Sequence, residues 1–156
     1  MSHRCVFLDR DGVINEKPVK GEYIRTPAEF RLLPNIADWI RLFNALELLV
    51  VVITNQRGVA LGIMTEDDLA AIHAKMMREL AALGARLDDV FYCPHALDDC
   101  DCRKPKPGLV HAARDKWNID LSRSLLLGDS DNDRELAAAC GIPFMWVENG
   151  RVLKAP

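Results

Sequence analysis

Cys5-Val6-Phe7-Leu8-Asp9-Arg10-Asp11-Gly12 is the stretch on which the reading of this chain turns. Four apolar residues in a row predict a short strand covered on both faces. Two carboxylates, two residues apart, then stand at its carboxyl end, where Gly12 lets the chain turn. Taken alone, the pair reads equally well as loop carboxylates capping backbone amides. The choice between these depends on what the rest of the chain brings to the same edge.

Outward from that strand, apolar runs alternate with amphipathic stretches, the pattern of an α/β domain with a mainly parallel sheet. Strands are predicted at 4–8, 48–53, 89–92, 124–127 and 144–147. Helices are predicted near 35–46, 66–83, 107–117 and 132–140. Leu69, Ile72, Met76, Leu80 and Leu83 make the clearest helical stripe. Thr65 and Asp68 suit an acidic capping box before it, and Gly84 suits a left-handed cap after it. The turn at Asn44-Ala45-Leu46-Glu47 has no glycine and is poorly signalled, with Asn44 or a tight cap as the candidates for making it. Residues 12–34, with three prolines and mixed charge, read as a flap-like excursion rather than packed structure. Nothing divides the 156 residues, so one domain is expected over 1–156.

Three further polar groups follow predicted strands or lie in loops that can reach the same edge. Thr54-Asn55 follow Val51-Val52-Ile53, Gly128-Asp129 and Asp133 follow Leu125-Leu126-Leu127, and Lys104 lies between Arg103 and Pro105. In an open parallel sheet, ligands sit beyond the carboxyl ends of the strands, where strand order reverses. Clustered carboxylates repel one another, and a hard divalent cation relieves that cost. An oxygen-only set with few protein ligands favours Mg²⁺ shared with a substrate phosphate. One aspartate can then attack phosphorus, and its neighbour two residues on can protonate the leaving oxygen and deprotonate water. The Thr54 hydroxyl and Lys104 ammonium suit phosphoryl oxygens.

These residues resemble the four ordered motifs of the haloacid dehalogenase (HAD) superfamily of phosphatases: Asp9-Arg10-Asp11-Gly12-Val13, Thr54, Lys104, and Gly128-Asp129 with Asp133. The resemblance implies a three-layer, Rossmann-like fold with helices on both sheet faces. It also implies Asp9 as nucleophile, Asp11 as general acid and base, and Thr54 and Lys104 as the phosphoryl clamp. Mg²⁺ would be held by Asp9, the Asp11 backbone carbonyl and Asp129, with Asp133 in support.

Cys93, His95, Cys100 and Cys102 place four soft donors within ten residues, the Cys3His set of a closed structural zinc site. Zinc would stiffen the 93–102 loop, which has little apolar content of its own, and fix where Arg103 and Lys104 point. Cys-Pro-His followed by Cys-Asp-Cys-Arg-Lys-Pro-Lys-Pro-Gly resembles the group within that superfamily that joins heptose bisphosphate and histidinol-phosphate phosphatases and lacks a large cap domain. Asn15, Gly21-Glu22-Tyr23, Thr54-Asn55-Gln56-Arg57-Gly58 and Lys106-Pro107-Gly108-Leu109 lean toward removal of the 7-phosphate of a heptose 1,7-bisphosphate. The short spacer between His95 and Cys100 leans toward the histidinol-phosphate type. By resemblance, Arg103, Asn55, Gln56, Arg57 and flap residues from Lys17 to Tyr23 would contact substrate. Arg57 reads equally well as a solvated loop cation.

Bulk composition narrows the partners. A net charge of −3 gives no general attraction to nucleic acid, which argues against a polynucleotide phosphatase. No apolar run approaches the ~20 residues of a membrane span. No secretory signal is visible, and the cysteine usage fits a reducing compartment, so a cytoplasmic monomer acting on a small phosphorylated sugar is expected. A non-catalytic zinc-stabilised binding module would need Asp11 or Lys104 lost, and both are present.

Overall fold

The structure, a computed structural model, describes residues 1–154. Six strands form one sheet: β1 (Cys5–Leu8), β2 (Leu49–Asn55), β3 (Asp89–Cys93), β4 (Leu125–Gly128), β5 (Phe144–Glu148) and β6 (Arg151–Lys154). Their order is β3-β2-β1-β4-β5-β6. The first five pair in parallel, and β6 adds antiparallel to β5. Strand order therefore reverses between β1 and β4, and the crevice beyond their carboxyl ends is where such sheets bind ligands.

Four helices cover the two faces: α1 (Ile36–Ala45), α2 (Glu66–Ala82), α3 (Gly108–Trp117) and α4 (Asp131–Cys140). The pleat sorts the central strands residue by residue. Val6, Leu8, Val50, Val52 and Leu127 join Ile36, Ile40, Phe43, Leu69, Ile72, Met76 and Leu80 from α1 and α2. Cys5, Phe7, Val51, Ile53 and Leu126 join Leu109, Val110, Ala113, Leu136 and Ala137 from α3 and α4. Burial on both faces is why these strands are apolar without alternation. The α2 cap is as expected: Asp68 N–H donates to Thr65 Oγ1 at 3.0 Å and Thr65 N–H to Asp68 Oδ2 at 2.8 Å. Gly84 takes the left-handed conformation after it, with φ 77°.

Two regions differ from the sequence reading. Between α1 and β2 the turn uses Glu47 at φ 57°, and Asn44 straps it to the far loop by donating to Arg86 O and accepting from Arg86 N–H. The 12–34 segment, read as unpacked, carries Val13, Ile14, Ile24, Phe30 and Leu33 into the interior. Those residues are spaced with neither a helical nor a strand period, so no pattern announced that they pack. They anchor the base of the flap while residues 16, 17 and 19–22 remain exposed.

Candidate active site

β1 delivers Asp9 to the crevice, tied down by its own N–H to Leu127 O at 3.1 Å. The turn that follows returns at once, with Ile14 N–H donating to Arg10 O at 2.8 Å and Gly12 N–H to Asn15 O at 2.8 Å. Gly12 has φ 89°, and any side chain there would strike the Asp129 carboxylate. That glycine is required twice over, by backbone angle and by space.

β4 and the start of α4 supply the opposing wall. Asp129, Asp133 and Asp9 bring carboxylate oxygens within 4.8 Å of one another. Lys104 lies between two of them: its Nζ donates to Asp9 Oδ1 at 2.9 Å, Asp133 Oδ1 at 2.7 Å and Ile53 O at 3.0 Å. Burial opposes the Lys104 charge, but the two carboxylates outweigh it and hold its pKa above the ordinary lysine value. Asp133 is wholly buried, and its other oxygen accepts from Ser130 Oγ at 2.9 Å. Both Asp133 oxygens thus have partners, which suits a support rather than a metal ligand.

Asp9 is strained electrostatically. Burial and the Asp133 charge push its pKa well above the ordinary carboxylate range, against the pull of Lys104. A divalent cation would relieve this, and Asp129 offers it a ligand: its Oδ1 is buried without any hydrogen-bond partner. Asp129 Oδ2 accepts from Lys17 of the flap at 2.7 Å. Clustered carboxylates with one buried oxygen left without a donor are the chemistry a hard cation needs, so the residues fit Mg²⁺.

Asp11 turns away from that cluster. Its Oδ1 accepts from Arg10 Nε at 3.0 Å, Arg10 Nη2 at 2.9 Å and Asn15 Nδ2 at 2.9 Å. Its Oδ2 lies 3.4 Å from Gln56 Nε2. The Asp11 carboxylate is absent from the cluster formed by Asp9, Asp129 and Asp133. Gln56 Nε2 also donates to Thr54 Oγ1 at 2.9 Å, which leaves the Thr54 hydroxyl hydrogen free to donate elsewhere.

The residues expected around substrate divide into two kinds. Asn55 and Gln56 are engaged within the protein: Asn55 brackets Lys104, donating to its carbonyl at 3.1 Å and accepting from its N–H at 2.9 Å. Arg57 Nε and Arg103 Nη1 are buried with no partner, so each has a donor available to an anion. The sequence reading passed over Lys17 as a ligand partner, Arg10 as the clamp on Asp11, and His73, whose Nε2 lies 3.1 Å from Arg10 Nη1. Arg10 lay inside a motif and Lys17 in the flap, but the sequence did not show which partners they take; only the fold brings these side chains together.

The four soft donors also meet. Cys93, His95, Cys100 and Cys102 place ligand atoms within 4.8 Å of one another. Cys93 Sγ is 3.4 Å from His95 Nδ1 and from Cys100 Sγ, and His95 Nδ1 is 3.2 Å from Cys102 Sγ. Four soft donors converging this closely without disulfides fit a tetrahedral zinc. Gly108 lets α3 start flush against Asp101 and Cys102, where a side chain would collide with backbone. Lys106 Nζ caps Cys100 O at 2.7 Å.

A six-stranded sheet that switches order beside an Asp-x-Asp turn defines a class, and the comparisons agree with it: the chain belongs to the HAD-like hydrolases, with residues 101–155 matching the family described as HAD-hydrolase-like. Within that class it is similar to the D-glycero-beta-D-manno-heptose-1,7-bisphosphate 7-phosphatase of Rhodopseudomonas palustris, 45% identical over 89% of this chain and 80% of that protein. It is also similar to the D-glycero-alpha-D-manno-heptose-1,7-bisphosphate 7-phosphatase of Mycobacterium bovis, 42% identical over 85% of this chain and 70% of that one. Among solved structures, the D,D-heptose 1,7-bisphosphate phosphatase of Bordetella bronchiseptica, complexed with magnesium and phosphate, superimposes with a TM-score of 0.87. That pair is 37% identical over 95% of this chain and 83% of the other.

Proposed function

We propose that this chain is a Mg²⁺-dependent phosphomonoesterase that removes the 7-phosphate of D-glycero-D-manno-heptose 1,7-bisphosphate through an aspartyl-phosphate at Asp9. The observation that carries this reading is the buried contact of 2.9 Å between Asp9 and Lys104 at the crevice between β1 and β4. The names of the relatives supply the sugar.

Asp9, Asp129 and the Asp11 backbone carbonyl would hold the magnesium, which when bound lowers the charge on the carboxylates and the phosphoryl oxygens. Asp9 attacks phosphorus, forming the Asp9–phosphorus bond as the bond to the sugar oxygen breaks. Asp11 gives its proton to that departing oxygen. It then takes a proton from the water whose oxygen attacks phosphorus, releasing phosphate and regenerating the Asp9 carboxylate. Lys104 stays close enough to both states of Asp9 to balance the charge that shifts onto the phosphoryl oxygens. Thr54 donates its free hydroxyl hydrogen there. Arg57 and Arg103, each with an unpartnered nitrogen, bind anionic or hydroxylated parts of the substrate. Asn55 and Gln56 act by holding Lys104, Thr54 and Asp11 in place.

Zinc is structural in this reading, since four protein ligands leave it no open position. We further infer that residues 1–156 work as one domain, as a cytoplasmic monomer, and on a small sugar rather than nucleic acid. The net charge of −3 supports the last point. Among the described residues no helix is long and apolar enough to cross a membrane.

The test is Mg²⁺-dependent phosphate release, comparing kcat/KM on heptose bisphosphate, histidinol phosphate and a phosphorylated oligonucleotide. The heptose ester is expected to lead, and Asp9→Asn to abolish release from it. Higher efficiency on either competitor would overturn the substrate assignment. Full activity in Asp9→Asn would overturn the nucleophile.

A further inference from the structure

The buried stripe of α2 is apolar except at one position. Leu69, Ile72, Met76 and Leu80 are fully buried, and His73 lies among them at 7% exposure. Its ring packs on Tyr92 with centroids 5.9 Å apart. Its Nε2 meets Arg10 Nη1 at 3.1 Å, and the Arg10 side chain is wholly shut off from solvent. The rest of that guanidinium is directed at Asp11, with Nε and Nη2 both on Oδ1.

We propose that His73 is a positioning residue for the hydrolysis: through Arg10 it holds the Asp11 carboxyl group where it exchanges its proton with the leaving oxygen. This rests on the reading of Asp11 as general acid and base.

A guanidinium carries donors only, so His73 Nε2 must be the acceptor and the ring proton must sit on Nδ1. The ring is therefore neutral. Burial, with the Arg10 charge beside it, pushes the His73 pKa down to about 3, so it remains an acceptor across the neutral range. His73 cannot itself be an acid or base at that pH. Its value lies in geometry. The guanidinium is a rigid plane, and fixing Nη1 at one end fixes the two donors at the other. Without His73, a buried donor is left with no acceptor, and the plane rotates to find one. Both bonds to Asp11 then shift together. Asn15 still holds Oδ1, so the effect is a partial loss.

The variants are His73→Leu, which keeps the bulk, and His73→Gln, which returns an acceptor oxygen near the position of Nε2. The readout is the first-turnover rate on two esters. The heptose bisphosphate has an alkoxide leaving group that needs a proton, whereas p-nitrophenyl phosphate releases a stable phenolate that does not. His73→Leu is expected to slow the sugar ester about tenfold at saturation and the aryl ester less than twofold. His73→Gln is expected to recover most of that loss. Equal losses on both esters, no loss on either, or no recovery in His73→Gln would overturn the proposal. If His73→Leu does not fold, Arg10→Lys keeps the charge, removes the fork and must show the same ester dependence. Asp11→Asn separates the two readings. If it too shows no difference between esters, the assignment of Asp11 as the acid fails. If it discriminates and the His73 variants do not, only the positioning role fails.

Discussion

Asp9 concentrates the conflict in this molecule: the proposed mechanism needs its carboxylate charged, yet it is buried beside two others. Burial and the Asp133 charge raise its pKa, so over some pH range the folded protein keeps a proton the unfolded chain has lost. Stability must then fall as pH rises from the ordinary aspartate value of about 3.9 toward the raised folded one. Asp9→Asn removes that titration, and Lys104 keeps Asp133 as a partner. Without Mg²⁺, the variant is expected to melt above the native protein at pH 7, with the gap closing below about pH 4. A native protein that melts equal to or above Asp9→Asn at pH 7 would contradict the electrostatic picture. Asp9 and Asp11 were legible in sequence because both follow one apolar run. Arg10 stood between them in plain view, yet a sequence does not say which carboxylate a neighbouring cation will choose. The hydrogen bonds of Asn55 to Lys104 were not legible, since a side chain's partner can lie 49 residues away in the chain.

At the scale of elements, legibility followed periodicity and capping chemistry. Helix α2 spans Glu66–Ala82 against an expected 66–83, because an apolar stripe and a capping box agree on it. Strand β6 went unread: Arg151–Lys154 has no strong apolar signal and exists through pairing to β5. The packed base of the flap went unread for the related reason that tertiary burial, rather than a period, holds it. Thr65→Ala breaks the box at the start of the helix that carries His73. It is expected to cost about 1 kcal/mol, read as a lower urea midpoint with unchanged slope. The cluster of soft donors, by contrast, was legible, because all four lie within ten residues of one another in the chain. Cys100→Ser should lower the melting temperature by roughly 4–8 °C, the equivalent of about 2 kcal/mol for a chain of this size. Because Lys106 holds Cys100 O and Lys104 follows the last ligand, activity should fall with it. One zinc per chain in protein purified without chelator is the accompanying expectation, and elemental analysis checks it.

Over the whole molecule, the sheet collects groups that the chain keeps far apart, and the flap adds one more. Lys17 reaches across 112 residues of sequence to Asp129, meeting Oδ2 at 2.7 Å. The lysine side chain is 54% exposed while the Asp129 side chain is 9% exposed, so one partner is wet and the other is shut in. An exposed lysine gains little from such a pair and loses little on leaving it. For the proposed magnesium, however, the same ammonium is a like charge lying on a carboxylate it must share. Removing it takes away a competitor. Lys17→Met keeps the aliphatic stem and is expected to bind Mg²⁺ about two- to fivefold more tightly, the equivalent of one exposed ion pair. Calorimetric titration of zinc-loaded protein measures this directly, without turnover. The gain should shrink as salt rises, because the competing pair is open to solvent and screened. An affinity that is unchanged or weaker in Lys17→Met would mean that the flap cation does not compete at Asp129 when the metal arrives.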